Sequence, residues 1–287
     1  MSSQKSNKVF LCAICNITSG TCAEDCKFCS QSVRYKADID RYRYKAIDDV
    51  IKEAKQAKEL GSLGFCLVTA DKGITPKSLD FVCEVAQAVK KAVPKLHLIA
   101  CNGTADRKQM QELKRAGVDA YNHNLETSEA FYKEICTTHP WSERYDTCKE
   151  VKEAGLNLIS GGIFGMGETQ DDRLSMLNSL KELDPISVPI NFYHHNPALP
   201  LTANNLSIQE CLELIKLTRK ILCDADRIMI AGGRELLFGN RQEEIFKAGA
   251  NSIVIGNYLT TAGRDSNKDL EMLKELHLDI AKTRDDK

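Results

Sequence analysis

VFLCAICNITSGTCAEDCKFCSQS, residues 9–32, sets an apolar run directly before a glycine-led loop that carries Cys22, Cys26 and Cys29. A short apolar run bounded by turn residues, such as VFLCAICNI (9–17), reads as a buried strand. Outward from it the same kind of run recurs: GFCLVTA (64–70), LHLIACN (96–102), AYNHNLE (120–126) and LNLISGGIFG (156–165). VPINFYHH (188–195), RIMIAGG (227–233) and NSIVIGNY (251–258) complete the series. Between the runs lie charged stretches of helical period, such as AIDDVIKEAKQAKEL and SIQECLELIKLTRKIL. The second of these opens at Ser207 with Glu210 three residues on, the spacing of a capping box. Helix-like stretches end at glycine in KELGS, KRAGVD, KEAGLN and FKAGANS. Eight strand–helix alternations predict an α/β fold, a single-domain (β/α)8 TIM-type barrel over residues 1–287. An open, doubly wound sheet is the competing arrangement. No low-complexity linker or break in composition divides the chain.

Composition narrows the function. The chain has 287 residues, 43% of them hydrophobic and 28% charged, enough to bury a large core. A formal net charge of −1 argues against a nucleic-acid partner, which selects for a basic patch or tail. No apolar stretch approaches a membrane span, and the polar start MSSQKSNK lacks the pattern of a signal peptide. Twelve cysteines in such a chain read as reduced thiols and metal ligands, which points to the cytoplasm.

The loop Cys22-x-x-x-Cys26-x-x-Cys29 supplies three thiolates to one inorganic core, and thiolate sulfur is the preferred ligand of iron–sulfur clusters. A four-iron cluster on three cysteines leaves one iron free to bind a small molecule. A structural zinc site is the plain alternative, but it calls for a second paired set of ligands. Cys12 and Cys15 form a C-x-x-C pair inside a strand, where their side chains point to opposite faces, so they read as packed core thiols. His123, His194 and His195 suggest a histidine metal site only weakly, because alternation separates the adjacent pair.

In a barrel, active sites lie at the C-terminal ends of the strands and in the loops that follow them. The cysteine loop falls there. So do Cys66, Cys101, Asn122, Asn124, Glu126, the Ser160-Gly161-Gly162 turn, Asn191 and Arg234. Leaving such polar groups buried and unpaired costs about 1–3 kcal/mol each, so their convergence predicts a ligand-filled cavity.

CAEDCKFCSQS, YNHNLETS (121–128), SGGIFGMGET (160–169), VPIN (188–191) and AGGRE (231–235), in this order, resemble the signatures of biotin synthases, members of the radical S-adenosylmethionine (SAM) superfamily. The resemblance implies insertion of sulfur between two saturated carbons of dethiobiotin. It implies a [4Fe-4S] cluster on Cys22, Cys26 and Cys29 with SAM at the open iron, and a reducing electron-transfer protein as electron source. Glu126, Arg144, Gly161 and Gly162 then match SAM-binding positions, with a charged rim pair as the plain alternative for Glu126 and Arg144. Asn124 and Asn191 match positions that hold the ureido ring of the substrate, and the family expectation is a homodimer.

The family also carries a second, [2Fe-2S] cluster, held by three cysteines and an arginine. Cys66, Cys101 and Arg234 match three of those ligands, but Ile159 stands where the third cysteine is expected. Cys136 is a possible substitute; Cys83, Cys148, Cys211 and Cys223 read as core or surface thiols. Two other readings therefore stay open: a radical SAM enzyme of the same subfamily without the sulfur-donating cluster, and a non-catalytic iron–sulfur or zinc module.

Overall fold

A computed structural model describes residues 7–202, 206–259, 263–284 and 286; the polar residues 1–6 lie outside it. Every apolar run noted above forms a strand: β1 (Lys8–Asn16), β2 (Gly64–Val68), β3 (His97–Cys101) and β4 (Ala120–Asn122). The fifth run is split into β5 (Asn157–Ile159) and β6 (Gly162–Phe164), and β7 (Ser187–Phe192), β8 (Arg227–Ile230) and β9 (Ser252–Val254) follow. All pair in parallel, and β9 pairs back onto β1, Phe10 opposite Ser252, so the sheet closes. Closure excludes the open doubly wound sheet. A short strand, β10 (Asp279–Ile280), joins the N-terminal end of β1 outside the barrel.

The connecting helices are α1 (Ile47–Glu59), α2 (Pro76–Ala92), α3 (Arg107–Arg115), α4 (Glu129–Ile135) and α5 (Trp141–Glu153). They continue with α6 (Gln170–Leu183), α7 (Ile208–Ile221), α8 (Arg234–Phe238), α9 (Glu244–Ala248) and α10 (Ser266–Glu275). At the start of α7 the Glu210 amide donates to Ser207 Oγ at 3.2 Å, and the Ser207 amide donates to Glu210 Oε2 at 2.8 Å. The capping box is thus formed as the sequence requires; losing such a cap costs about 1 kcal/mol. No helix among the described residues is long and apolar enough to cross a membrane.

Strand pleating sorts side chains into two cores. The larger lies between sheet and helices and takes Cys15 and Leu67; the smaller fills the barrel with Cys12, Cys66, Ile99, Ile159 and Met229. Cys12 and Cys15 do lie on opposite faces of β1. Register then stacks Ile14 beside Cys66 and Cys66 beside Ile99, with Val68 beside Cys101 and Asn122 beside Ile159.

Candidate active site at the C-terminal mouth of the barrel

The cysteine loop leaves β1 and is held by backbone bonds within it: Cys22 N–H to Gln31 O at 3.2 Å, Val33 N–H to Cys22 O at 2.8 Å and Cys29 N–H to Cys26 O at 3.0 Å. A second set of bonds ties it to the segment after α4. The Lys27 amide donates to Ile135 O at 2.8 Å, and Asp25 Oδ1 accepts from the Thr137 amide at 2.9 Å and the Thr138 hydroxyl at 3.0 Å. Burial opposes ionisation of Asp25, but these donors outweigh it and hold the carboxyl below the usual aspartate range. Burial pushes the Cys29 thiol up to about 11, and raises Cys22 as well.

Arg144, from α5, sits over this loop within electrostatic reach of Cys22, Cys26 and Cys29. Its Nε donates to the Tyr132 hydroxyl at 2.6 Å, and one terminal nitrogen donates to Asn124 O at 3.0 Å and lies 3.5 Å from Glu126 Oε1. Glu126 Oε2 is buried with no partner, and burial raises the carboxyl above its ordinary value. The unpartnered Oε2 beside an arginine is an acceptor open to a ligand donor. The pair is largely enclosed, with side chains 13% and 12% exposed.

Gly161 and Gly162 make the break between β5 and β6. A Cβ on Gly161 would lie 1.9 Å from the Pro189 carbonyl oxygen, and one on Gly162 2.3 Å from Met176 Sδ and 2.9 Å from Glu126 O. The close approach these glycines permit is therefore to the barrel's own atoms. Through it the Gly161 amide donates to Asn124 Oδ1 at 3.1 Å, and Gly161 O accepts from Leu125 N–H at 2.9 Å.

Deeper in the lumen, Cys66 and Cys101 lie within reach of each other, and their mutual interaction holds Cys66 well above and Cys101 below the ordinary thiol value. Asn122 Nδ2 lies 3.6 Å from Cys101 Sγ, while its Oδ1 is buried and unpartnered. Tyr258 bridges the two levels, within electrostatic reach of Cys29 and Glu126 above and of Cys66 and Cys101 below.

The sequence matches the Radical SAM superfamily model over residues 16–180 and the Biotin and Thiamin Synthesis associated domain model over 189–279. It is 65% identical over 274 residues to the biotin synthase of Sulfurimonas denitrificans, covering 96% of this chain and 98% of that protein. The biotin synthase of Campylobacter jejuni strain 81-176 is 51% identical over 274 residues, with the same 96% and 98% coverage. The chain belongs to the biotin synthase family. Among solved structures, the hydrogenase maturase HydG of Carboxydothermus hydrogenoformans shares its fold, with a TM-score of 0.83 at 17% identity over 98% of this chain and 69% of that one. Methylornithine synthase does likewise, with a TM-score of 0.82 at 19% identity over 96% and 84%.

Against the biotin synthase pattern, the thiols of the cysteine loop suit a four-iron cluster, since three sulfur donors share one tightly bonded loop beside Arg144. The second-cluster pattern does not fit. Ile159 faces the lumen with no donor atom. Arg234 begins α8, is 5% exposed, and gives its guanidinium to Asp269 at 2.9 and 2.7 Å, to Gln242 and to Val254 O at 3.1 Å, so it is paired within the protein. Both terminal nitrogens of that group are therefore already engaged. Cys136 is no substitute either, because it lies beside Cys26 at 3.6 Å, outside the lumen. Cys12 is instead the further thiol in the lumen, within electrostatic reach of Cys66. Asn191 is also occupied: its Oδ1 accepts from Gly232 N–H at 2.8 Å and Tyr258 O–H at 2.7 Å, and its Nδ2 donates to Gly162 O at 3.2 Å. Asn122 and Tyr258, which the sequence reading left without a role, both line the lumen cavity.

Proposed function

We propose that this chain converts dethiobiotin to biotin by SAM-dependent radical sulfur insertion. The observation that carries the reading is the gathering of groups at one end of the barrel: the cysteine loop within electrostatic reach of Arg144 and Glu126, and Tyr258 within reach of Cys29 and Glu126 and of Cys66 and Cys101. Unactivated C–H bonds yield to no ordinary base, and the four-iron cluster with SAM supplies, when bound, the radical that removes hydrogen from them. Cys22, Cys26 and Cys29 hold that cluster. Glu126 Oε2 accepts a SAM hydroxyl, and Arg144 compensates the charge of the nearby thiolates and carboxylate. Asn122 Oδ1, unsatisfied in the lumen, is matched to an N–H of the ureido ring, while Asn124 and Asn191 shape the pocket through backbone bonds. No step is assigned to a two-iron cluster on three cysteines and an arginine, since those ligands are not assembled here. A reducing electron-transfer protein as donor, a homodimer and a cytoplasmic setting complete the reading; the free state of the cysteines supports the last.

The test is anaerobic turnover of protein reconstituted with iron and excess sulfide, the sulfur source, with SAM, dethiobiotin and a strong reductant. Biotin and 5′-deoxyadenosine should both form, and Cys26→Ala should form neither. Cleavage of SAM without biotin would transfer the assignment to a relative lacking sulfur insertion.

A further inference from the structure

We propose that Cys26, Cys136 and His139 form a binding site for a single thiophilic divalent metal ion of the zinc class in the chain before cluster loading. Cys26 and Cys136 come from the cysteine loop and from the C-terminal end of α4, far apart in sequence, yet their sulfurs lie 3.6 Å apart. Two thiolates on one tetrahedral zinc, each about 2.3 Å from it, sit about 3.8 Å apart. His139 Nδ1 lies 3.4 Å from Cys136 Sγ, and the three donor atoms all fall within 4.8 Å of one another. All three residues are buried, at 7, 2 and 6% exposure, so the donors are enclosed as a closed metal site requires.

The surroundings orient the donors and leave the fourth position of a tetrahedral ion to water or another small ligand. Glu24 Oε2 is 2.6 Å from His139 Nδ1, an acidic neighbour at the edge of the three-donor set. His139 Nε2 is 2.7 Å from the Tyr132 hydroxyl, the kind of outer partner that fixes the ring of a metal-bound histidine. Tyr132 is itself held by Arg144 at 2.6 Å. Cys136 makes two further polar contacts, to Asp25 Oδ1 at 3.4 Å and to the Thr138 hydroxyl at 3.7 Å, both weak enough to yield. Cys26 is shared with the four-iron cluster, so the two occupants are mutually exclusive. That consequence rests on the cluster assignment above; the ion site itself does not.

The probe is Co²⁺ titrated into the full chain in its cluster-free state, under argon. One ion per chain should bind with tetrahedral d–d bands and thiolate-to-cobalt charge transfer from two sulfurs. Cys136→Ser and His139→Ala should each weaken binding by more than the 10–100-fold that loss of an outer-shell partner costs, and Cys22→Ala should leave it unchanged. Zinc-loaded wild-type protein should resist cluster reconstitution, whereas Cys136→Ser should accept the cluster with zinc present. Cobalt binding that survives Cys136→Ser and is lost with Cys22→Ala would overturn the proposal, because the ion would then sit on the cluster cysteines alone. Cys136→Ser protein with a native circular dichroism spectrum excludes misfolding as the cause of a loss.

Discussion

Removing Asp269 distinguishes a structural from a ligating Arg234. Asp269 is fully buried, and its carboxylate receives two charge-assisted hydrogen bonds from Arg234 at 2.9 and 2.7 Å, with Arg264 a further 3.8 Å away. Two such bonds at about 1.5–3 kcal/mol each give about 3–6 kcal/mol, which agrees with the ~3–5 kcal/mol lost when one partner of a buried pair is removed. Asp269→Ala should therefore destabilise the protein by about 3–5 kcal/mol, a fall of roughly 6–10 °C in melting temperature for a chain of this size. Arg234→Ala should cost a similar amount. The double variant should cost much less than the sum, since neither charge is then stranded. Urea denaturation of all four proteins, with iron and sulfide counted per chain, completes the cycle. Equal iron and sulfide in the two single variants is expected. A stability loss under about 1 kcal/mol for Asp269→Ala, or a sulfide loss confined to Arg234→Ala, would refute the structural assignment of the arginine.

Three further outcomes follow from the same contacts. Gly161→Ala drives a methyl group into the immobile Pro189 carbonyl and should cost about 1–3 kcal/mol or more, read as a lower urea midpoint; an unchanged midpoint would show that β5 and β6 can part there. Glu126→Gln, which keeps the shape but not the charge, should weaken SAM affinity by isothermal titration to the loaded protein; an affinity equal to wild type would remove Glu126 from that site. Asp25 has a folded pKa below its unfolded value of about 3.9, so its grip on residues 136–138 is complete above that value and lost as pH falls toward the lower folded one. Proteolysis of the cysteine loop should accordingly rise in wild type on acidification below about pH 4, and Asp25→Asn should show the open behaviour at neutral pH as well.

The barrel was legible because its signals are local. An apolar run, a capping box at Ser207 and a glycine closing α1, α3, α5 and α9 are set by neighbours in sequence, and Gly61, Gly117, Gly155 and Gly249 all take the positive φ expected of such ends. Alternation likewise assigned Cys12 and Cys15 to opposite faces. Pairings set by closure were not legible. AGGRE gave no sign that Arg234 turns into a helix to meet Asp269 in α10. LNLISGGIFG looked like one strand, since nothing local shows how closely Pro189 of the neighbouring strand approaches Gly161. Cys136 and His139 stand three residues apart in the sequence, but only the docking of α4 beside the cysteine loop brings the Cys136 thiol to Cys26.

The two glycines also explain how the mouth of the barrel is held. Glu126 has φ 69°, a left-handed conformation that costs a residue with a Cβ about 1–3 kcal/mol. Its amide faces Gly161 O at 3.4 Å, and its carbonyl accepts from Ile163 N–H at 2.8 Å. Those bonds exist only because neither Gly161 nor Gly162 carries a side chain. Held this way, Glu126 meets Arg144, Arg144 meets Tyr132, Tyr132 meets His139 and His139 meets Glu24 of the cysteine loop. The chain of contacts runs without a gap from the strand break to the loop that carries the thiols. Each member is buried or nearly so, and a polar group inside such a network that loses one partner is left exposed to the full cost of desolvation. The geometry of the cysteine loop is therefore fixed from the opposite side of the barrel as well as by its own backbone bonds.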